Sequence, residues 1–273
     1  GALSSGGSFY YHAELRVSSV APPLGPERGG TRVSVLGSGF KDAYTLRCRF
    51  DNSSSAVLAR YVDESQLECV SPLHSLGAKP VLLSMNAQQY SGDDGVSFTY
   101  QAAATVSHVS PTVVLAEGGT PVTVHGSGFS LASESLGYLL CRIGTTVRRA
   151  RWASSSALVC NSTRTQAGEA RVEVSNNARE YTSDGARLRF VSVRVLDVQP
   201  WSGPQRGSTV VSVRGRGVLP GVLRCAFGES EPSTAWSGGA SRLRCESSAS
   251  AVTGWVGVQL SSFYGALSSG GSF

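Results

Sequence analysis

The sequence contains no apolar run approaching the roughly 20 residues a membrane-spanning helix needs, which excludes a helical transmembrane segment within it. It has no stretch of convincing helical periodicity, which excludes a helical bundle or a coiled coil. Lysine occurs only at Lys41 and Lys79 and methionine only once, so nearly all the positive charge is arginine. A net charge of +5 over 273 residues permits contact with nucleic acid, acidic glycans or anionic surfaces, and compels none of them. The chain opens on Gly1 without a basic-then-apolar leader, so a targeting signal is expected to be absent or already removed. The length suffices for two or three small domains.

Motifs that carry chemistry are equally scarce. "GSGFKD", "GSGFSL" and "GRGVLPG" each hold Gly-x-Gly but lack the third glycine of a dinucleotide fingerprint. No helix is expected after them, so they read as turns. None of His12, His74, His108 and His125 sits in a zinc or nucleophile signature, and all four read as structural or surface groups. Asp93 and Asp94 in "YSGDDG" read as a solvated turn rather than a calcium site. The expectation is a protein without catalytic residues, bound metal or cofactor.

What the sequence does have is internal repetition. Three segments read alike: "VSSVAPPLGPERGGTRVSVLGSGF" at 17–40, "VSHVSPTVVLAEGGTPVTVHGSGF" at 106–129 and "VLDVQPWSGPQRGSTVVSVRGRGV" at 195–218. Each has a proline-containing entry strand and a Gly-Gly-Thr or Gly-Ser-Thr turn. An alternating strand follows (Val33/Val35, Val122/Val124, Val211/Val213), and a Gly-x-Gly turn closes it. Apolar–polar alternation marks a strand with one buried face, and glycine and proline punctuate the turns. The chain is expected to be all-β.

The cysteines follow the same plan, one pair per repeat: Cys48 and Cys69, Cys141 and Cys160, Cys225 and Cys245, separated by 21, 19 and 20 positions. No close Cys-x-x-Cys spacing of a zinc site is present. An even count with one pair per repeat predicts three intradomain disulfides, the alternative being six buried free thiols. Disulfides imply an oxidising compartment. Two glycosylation sequons agree with that, at Asn52-Ser53-Ser54 and Asn161-Ser162-Thr163.

Taken together, the proline-rich entry, "GGT", "V-x-V", "G-x-G-F", Cys, about twenty residues and then "L-x-C" resemble the IPT/TIG domain, the immunoglobulin-like module of plexins, Met-type receptors and certain transcription factors. The third repeat departs mildly, with Ser208 in place of the second glycine and Val218 in place of the phenylalanine. The resemblance implies three tandem β-sandwiches in an extended array, spanning residues 10–101, 102–191 and 192–273.

The nonapeptide "GALSSGGSF" occurs at residues 1–9 and again at 265–273, a period of 264. Aligning the repeat ends on Phe9, Phe98, Phe190 and Phe273 gives intervals of 89, 92 and 83 that close on that period. Residues 1–9 are therefore expected to be the last strand of a preceding unit, and 265–273 the last strand of the third domain. The competing reading is an engineered flank at both ends. Joints such as "QAAAT" at 101–105 are short, which predicts little room for hinge motion.

The surface offers a few contact candidates. In "VRRARW" a single strand would place Arg149 and Arg151 on one side, for a glycan or a protein partner, with Trp152 packed inward. Trp201, in a loop after a proline, is expected to pack at a joint, with partner contact as the second reading. The leading functional expectation is a non-catalytic extracellular structural or adhesive protein, one unit of a cell-surface fibre. Its partners would be further copies head-to-tail, acidic glycans or cell-surface proteins. The alternative is the stalk of a plexin- or Met-like receptor ectodomain. A Rel-like nucleic-acid-binding module fits worse with paired cysteines and sequons.

Overall fold

A computed structural model of the chain describes residues 6, 9, 11–52, 56–218, 223–238 and 241–262. The regular structure there is almost entirely β, with one short helix, Leu131–Ser135. The alternating strands predicted from the sequence form in each repeat and bury their valines: Val33, Val35, Val122, Val124 and Val213 are all fully buried. The chain divides into two compact units. One comprises residues 1–105, 127–140 and 175–182, the other residues 106–126, 141–174 and 183–273.

In the first unit, Arg16–Ala21, Arg32–Ser38, Gln66–Val70 and Ala56–Asp63 lie side by side in that order, in antiparallel pairs. Arg47–Arg49 pairs with the start of Ala56–Asp63 and Leu82–Ser84 pairs with Arg47–Arg49, which extends the sheet to six strands, and a separate smaller sheet holds Ser97–Gln101 between Leu24–Pro26 and Gly77–Pro80. Leu46, Phe50, Leu67, Leu83, Phe98 and Tyr100 fill the core. Phe50, Phe98 and Tyr100 meet edge-on, at centroid separations of 5.0 to 6.4 Å.

In the second unit the same order recurs twice. Thr105–Ser110, Pro121–Ser127, Ala157–Asn161 and Arg151–Ser154 form one copy, and Arg194–Gln199, Val210–Arg216, Arg242–Glu246 and Trp236–Ser237 the other. The bulge in the first strand also recurs, between Val17 and Ser19 and again between Val195 and Asp197. The second cysteine of each pair faces the first valine of the alternating strand: Cys69 opposite Val33, Cys160 opposite Val122, Cys245 opposite Val211. One backbone register is thus used three times.

The Gly-Gly-Thr turn shows why its two glycines are not equivalent. Gly118 has φ +82°, and a Cβ there would stand 2.5 Å from the backbone nitrogen of Arg164. Gly29 (φ +72°) meets the backbone of Pro72 in the same way. At the next position, Gly30 and Gly119, a Cβ meets nothing within 4 Å. The third repeat therefore accommodates Ser208 there, in a left-handed conformation with φ 64°.

Two expectations about strands are corrected. "VRRARW" is not one strand: Thr146–Arg149 belongs to one sheet and Arg151–Ser154 to the other, so Arg149 and Arg151 do not share a sheet. The chain changes layers at buried Ala150, and Ala235 marks the same crossing between Ser233–Thr234 and Trp236–Ser237. A small side chain suits a corner that must pass between layers. The alignment of repeat ends also shifts. Tyr100 lies opposite Gly25 and Gly77, and Phe190 lies opposite Val114 and Gly168. Tyr100 is therefore the counterpart of Phe190, and Phe98 that of Leu188. A slip of two residues keeps every side chain on its own face, so apolar pattern alone does not reveal it. Residues 1–9, apart from 6 and 9, and residues 263–273 lie outside the described residues, and with them the strand expected at 265–273.

Candidate interaction surfaces

Three disulfides join Cys48 to Cys69, Cys141 to Cys160 and Cys225 to Cys245, with Cα atoms 6.4, 6.3 and 6.1 Å apart. In the second and third repeats the first cysteine sits on one sheet and the second on the other, so the bond staples the sandwich through its core; in the first repeat Cys48 and Cys69 lie on strands that flank Ala56–Asp63 in one continuous sheet. All six are buried.

Asn52 and Asn161 are both exposed. Asn161 ends the strand Ala157–Asn161, and alternation turns the next residue, Ser162, inward. The Ser162 hydroxyl accepts a hydrogen bond from the Thr120 amide at 3.0 Å. The equivalent Ser71 and Ser247 accept from Thr31 and Thr209 at 3.1 Å each. Serine is thus required here by the turn, and the asparagine is left to solvent.

Asp94 is not merely a solvated turn residue. Its Oδ2 accepts from the Val17 amide at 2.8 Å, and Asp184 does the same for Val106 at 2.6 Å. Of the histidines, His74 meets Asp51 at 2.8 Å and stacks on Tyr100, and His108 stacks on His125 with ring centroids 4.4 Å apart. Burial, and secondarily the Asp51 charge, push the Tyr100 phenol above its ordinary pKa. Hydrogen bonds from Ser65, from its hydroxyl first and then its amide, hold the Asp63 carboxyl below the usual carboxylate range. Among the described residues no group of three or more His, Cys, Asp or Glu is placed to hold a metal ion.

Trp201 does not pack at a joint. It is 73% exposed and stacks on Trp255, with centroids 5.8 Å apart and planes 24° from parallel. The two rings rim a cavity of about 450 Å³ within the third repeat. A proline preceding a tryptophan gives no sign of a partner so far along the chain.

Sequence reasoning also missed a buried polar cluster inside the first unit. Asn177 is only 2% exposed, and its Oδ1 accepts from the amides of Arg179 and Glu180, both at 3.1 Å. Its Nδ2 donates to the Glu180 carboxylate and, at 3.2 Å, to Thr31 Oγ1. Thr31 is fully buried and donates to Glu180 Oε2 at 2.9 Å. The Asn177 turn, which belongs to the second repeat, is thereby bonded to the first. Gln101 adds a second link, donating to Ser130 Oγ at 2.9 Å. The signal for the turn was present as "S-x-N-A" at 84–87 and again at 175–178, with Ala87 and Ala178 at φ 61° and 58°.

Stapled, all-β layers with a recurring strand order define an immunoglobulin-like sandwich module. The sequence model of the IPT/TIG domain matches residues 15–100 and 104–190, more than half of the chain, and the chain belongs to that family. It is 29% identical over 117 residues to plexin-A3 of Rattus norvegicus and 30% identical over 125 residues to plexin-A2 of Homo sapiens. Those matches cover 42% and 46% of this chain and 6% of each plexin. Fibrocystin-L of Homo sapiens is 26% identical over 173 residues, 62% of this chain and 4% of that protein. Among solved structures, the plexin A4 full extracellular region matches 90% of this chain and 23% of its own length, at 16% identity and a TM-score of 0.49. The chain thus spans a small fraction of the length of these relatives.

Proposed function

We propose that this chain is part of the extracellular region of a larger cell-surface protein. Its IPT/TIG modules act as a non-catalytic stalk that spaces and presents other domains. The observation that carries this reading is the combination of three core disulfides with sequence similarity to plexins over 117 to 125 residues. The disulfides favour an oxidising compartment, and the relatives favour a receptor stalk over the fibre unit expected from repetition alone. No helix among the described residues is long and apolar enough to cross a membrane.

The test is an antibody against this segment applied to intact, unpermeabilised cells that express the native protein. The reading expects surface staining that stays with the membrane fraction after a high-salt wash. Recovery of all the antigen from the medium as polymer, or from the cytosol, overturns it. In the same material Asn161, Asn52 or both should carry a glycan, seen as a mass decrease and an Asn-to-Asp conversion on enzymatic deglycosylation. Two unmodified asparagines in surface-derived protein would contradict the secretory route.

A further inference from the structure

The net charge is not spread along the chain. Residues 141–191 hold nine arginines against four carboxylates, a balance of +5, so the charges of all the other residues cancel. Most of those arginines converge on one sheet. Its strands run Val113–Leu115, Arg187–Val191, Gly168–Ser175, Leu140–Ile143 and Thr146–Arg149, in that order. One face packs inward through Cys141, Ile143, Val172, Val174, Leu188 and Phe190, all buried. Alternation turns Arg142, Glu169, Arg171, Glu173, Arg187 and Arg189 to the other face. Both carboxylates there are engaged, Glu173 by Arg142 at 2.6 Å and Glu169 by Arg187 at 2.8 Å. Arg171 and Arg189 are exposed and form no ion pair among the described residues. The edge strand adds exposed Arg148 and Arg149, one of which alternation brings to the same face.

The strand register makes this arrangement costly. Arg171 lies directly opposite Arg187, where Cβ atoms are about 5 Å apart and like charges destabilise the pair. The fold does not demand it. Gly77 lies opposite Tyr100 as Gly168 lies opposite Phe190, so the two registers superpose. The positions of Arg171, Arg187 and Arg189 are then those of Pro80, Ser97 and Thr99 in the first repeat, none of them charged. A bound anion turns the repulsion into shared attraction, and the planar fork of arginine suits the paired oxygens of a sulfate. Arg187 and Arg189 follow each other at about 7 Å along their strand, a spacing that suits successive charges on one polymer. Val147 is the one exposed large apolar side chain on these five strands among the described residues, so the face lacks the apolar anchors of a membrane-binding surface. We infer that this face binds a linear sulfated polysaccharide. Arg171 and Arg187 together hold one sulfate, and Arg189 holds the next. The choice of a polysaccharide over a nucleic acid rests on the extracellular reading proposed above.

Titration calorimetry of the full chain with heparin tests this. Binding that weakens as salt rises is expected, and heparin stripped of its sulfates should not bind. Arg171→Ser, Arg187→Ser and Arg189→Thr together should weaken heparin binding on the order of thirtyfold. The control removes the same charge from exposed positions of the third repeat, with Arg206→Ser, Arg214→Ser and Arg216→Ser, and should leave the affinity almost unchanged. Equal losses in the two triple variants overturn the proposal, since net charge alone would then attract the polymer. Duplex DNA or phosphatidylserine vesicles binding as tightly as heparin overturn it as well. On the unmodified chain, heparin should shield Arg171, Arg187 and Arg189 from phenylglyoxal, read by mass spectrometry, while Arg206, Arg214 and Arg216 react as before. Absence of that shielding also overturns it. A cytosolic protein that still binds heparin removes the extracellular reading and keeps the anion site. A surface protein that ignores heparin removes the site and keeps that reading.

Discussion

Replacing both Cys48 and Cys69 with alanine is expected to lower the stability of the first repeat by about 3 kcal/mol. The bond closes a loop of 21 positions and thereby restricts the unfolded chain. Both sulfurs lie in the core cluster with Val33, Leu67 and Leu83, so their removal also leaves space that those side chains do not fill. Chemical denaturation followed by a probe confined to the first repeat checks the value. A reducing agent added to the unmodified chain should reproduce most of the loss. The sandwich containing Cys141 and Cys160 should unfold at nearly its original midpoint in the double variant, because distant, unshared sites act almost additively. A loss below about 1 kcal/mol would mean that packing alone holds the sandwich together and that the disulfide adds little.

Much of this architecture was legible because its signals are local. Val33 and Val35 alternate with polar residues over a single strand, and the fixed order of turn glycine, valine pair and cysteine repeats three times. What was not legible depended on distance or symmetry. The end of the first repeat offers Phe98 and Tyr100 on the same face, and only the strand register shows that Tyr100 is the partner of Phe190. Arg149 and Arg151 looked like neighbours on one strand because nothing about Ala150 announces a change of sheet. Trp201 appeared isolated because its stacking partner, Trp255, comes from the far end of the repeat. The preference for the stalk over the fibre unit, by contrast, came from comparison with relatives, since the sequence offered both: a sandwich serves many roles, and no residue on its surface names one.

Asn177 gives the second large effect, and the chain supplies its own control. Asn86 makes the same turn in the first repeat, with Oδ1 accepting from the amides of Gln88 and Gln89 at 3.0 and 3.1 Å. Asn86 is exposed, however, and among the described residues its amide group donates to neighbouring Gln89. Asn177 is buried, and its amide group reaches Thr31, 146 positions away in the chain. Alanine at 86 removes turn bonds that water replaces, at a cost of about 1 kcal/mol. Alanine at 177 removes the same turn bonds and leaves Thr31 and Glu180 short of a partner where water does not compensate, at a cost of about 2 to 3 kcal/mol. Asn177→Asp should be worse than alanine, since it sets a second carboxylate against Glu180 in a buried site. Thr31→Val combined with Asn177→Ala should lose less than the two single changes together, with a coupling of about 1 kcal/mol. Thermal or chemical unfolding of the five variants, Thr31→Val alone included, decides it. Equal losses at positions 86 and 177, with no coupling to Thr31, would reduce the cluster to a turn that happens to touch its neighbour. Unequal losses would establish that the second repeat is fastened to the first by a specific buried bond.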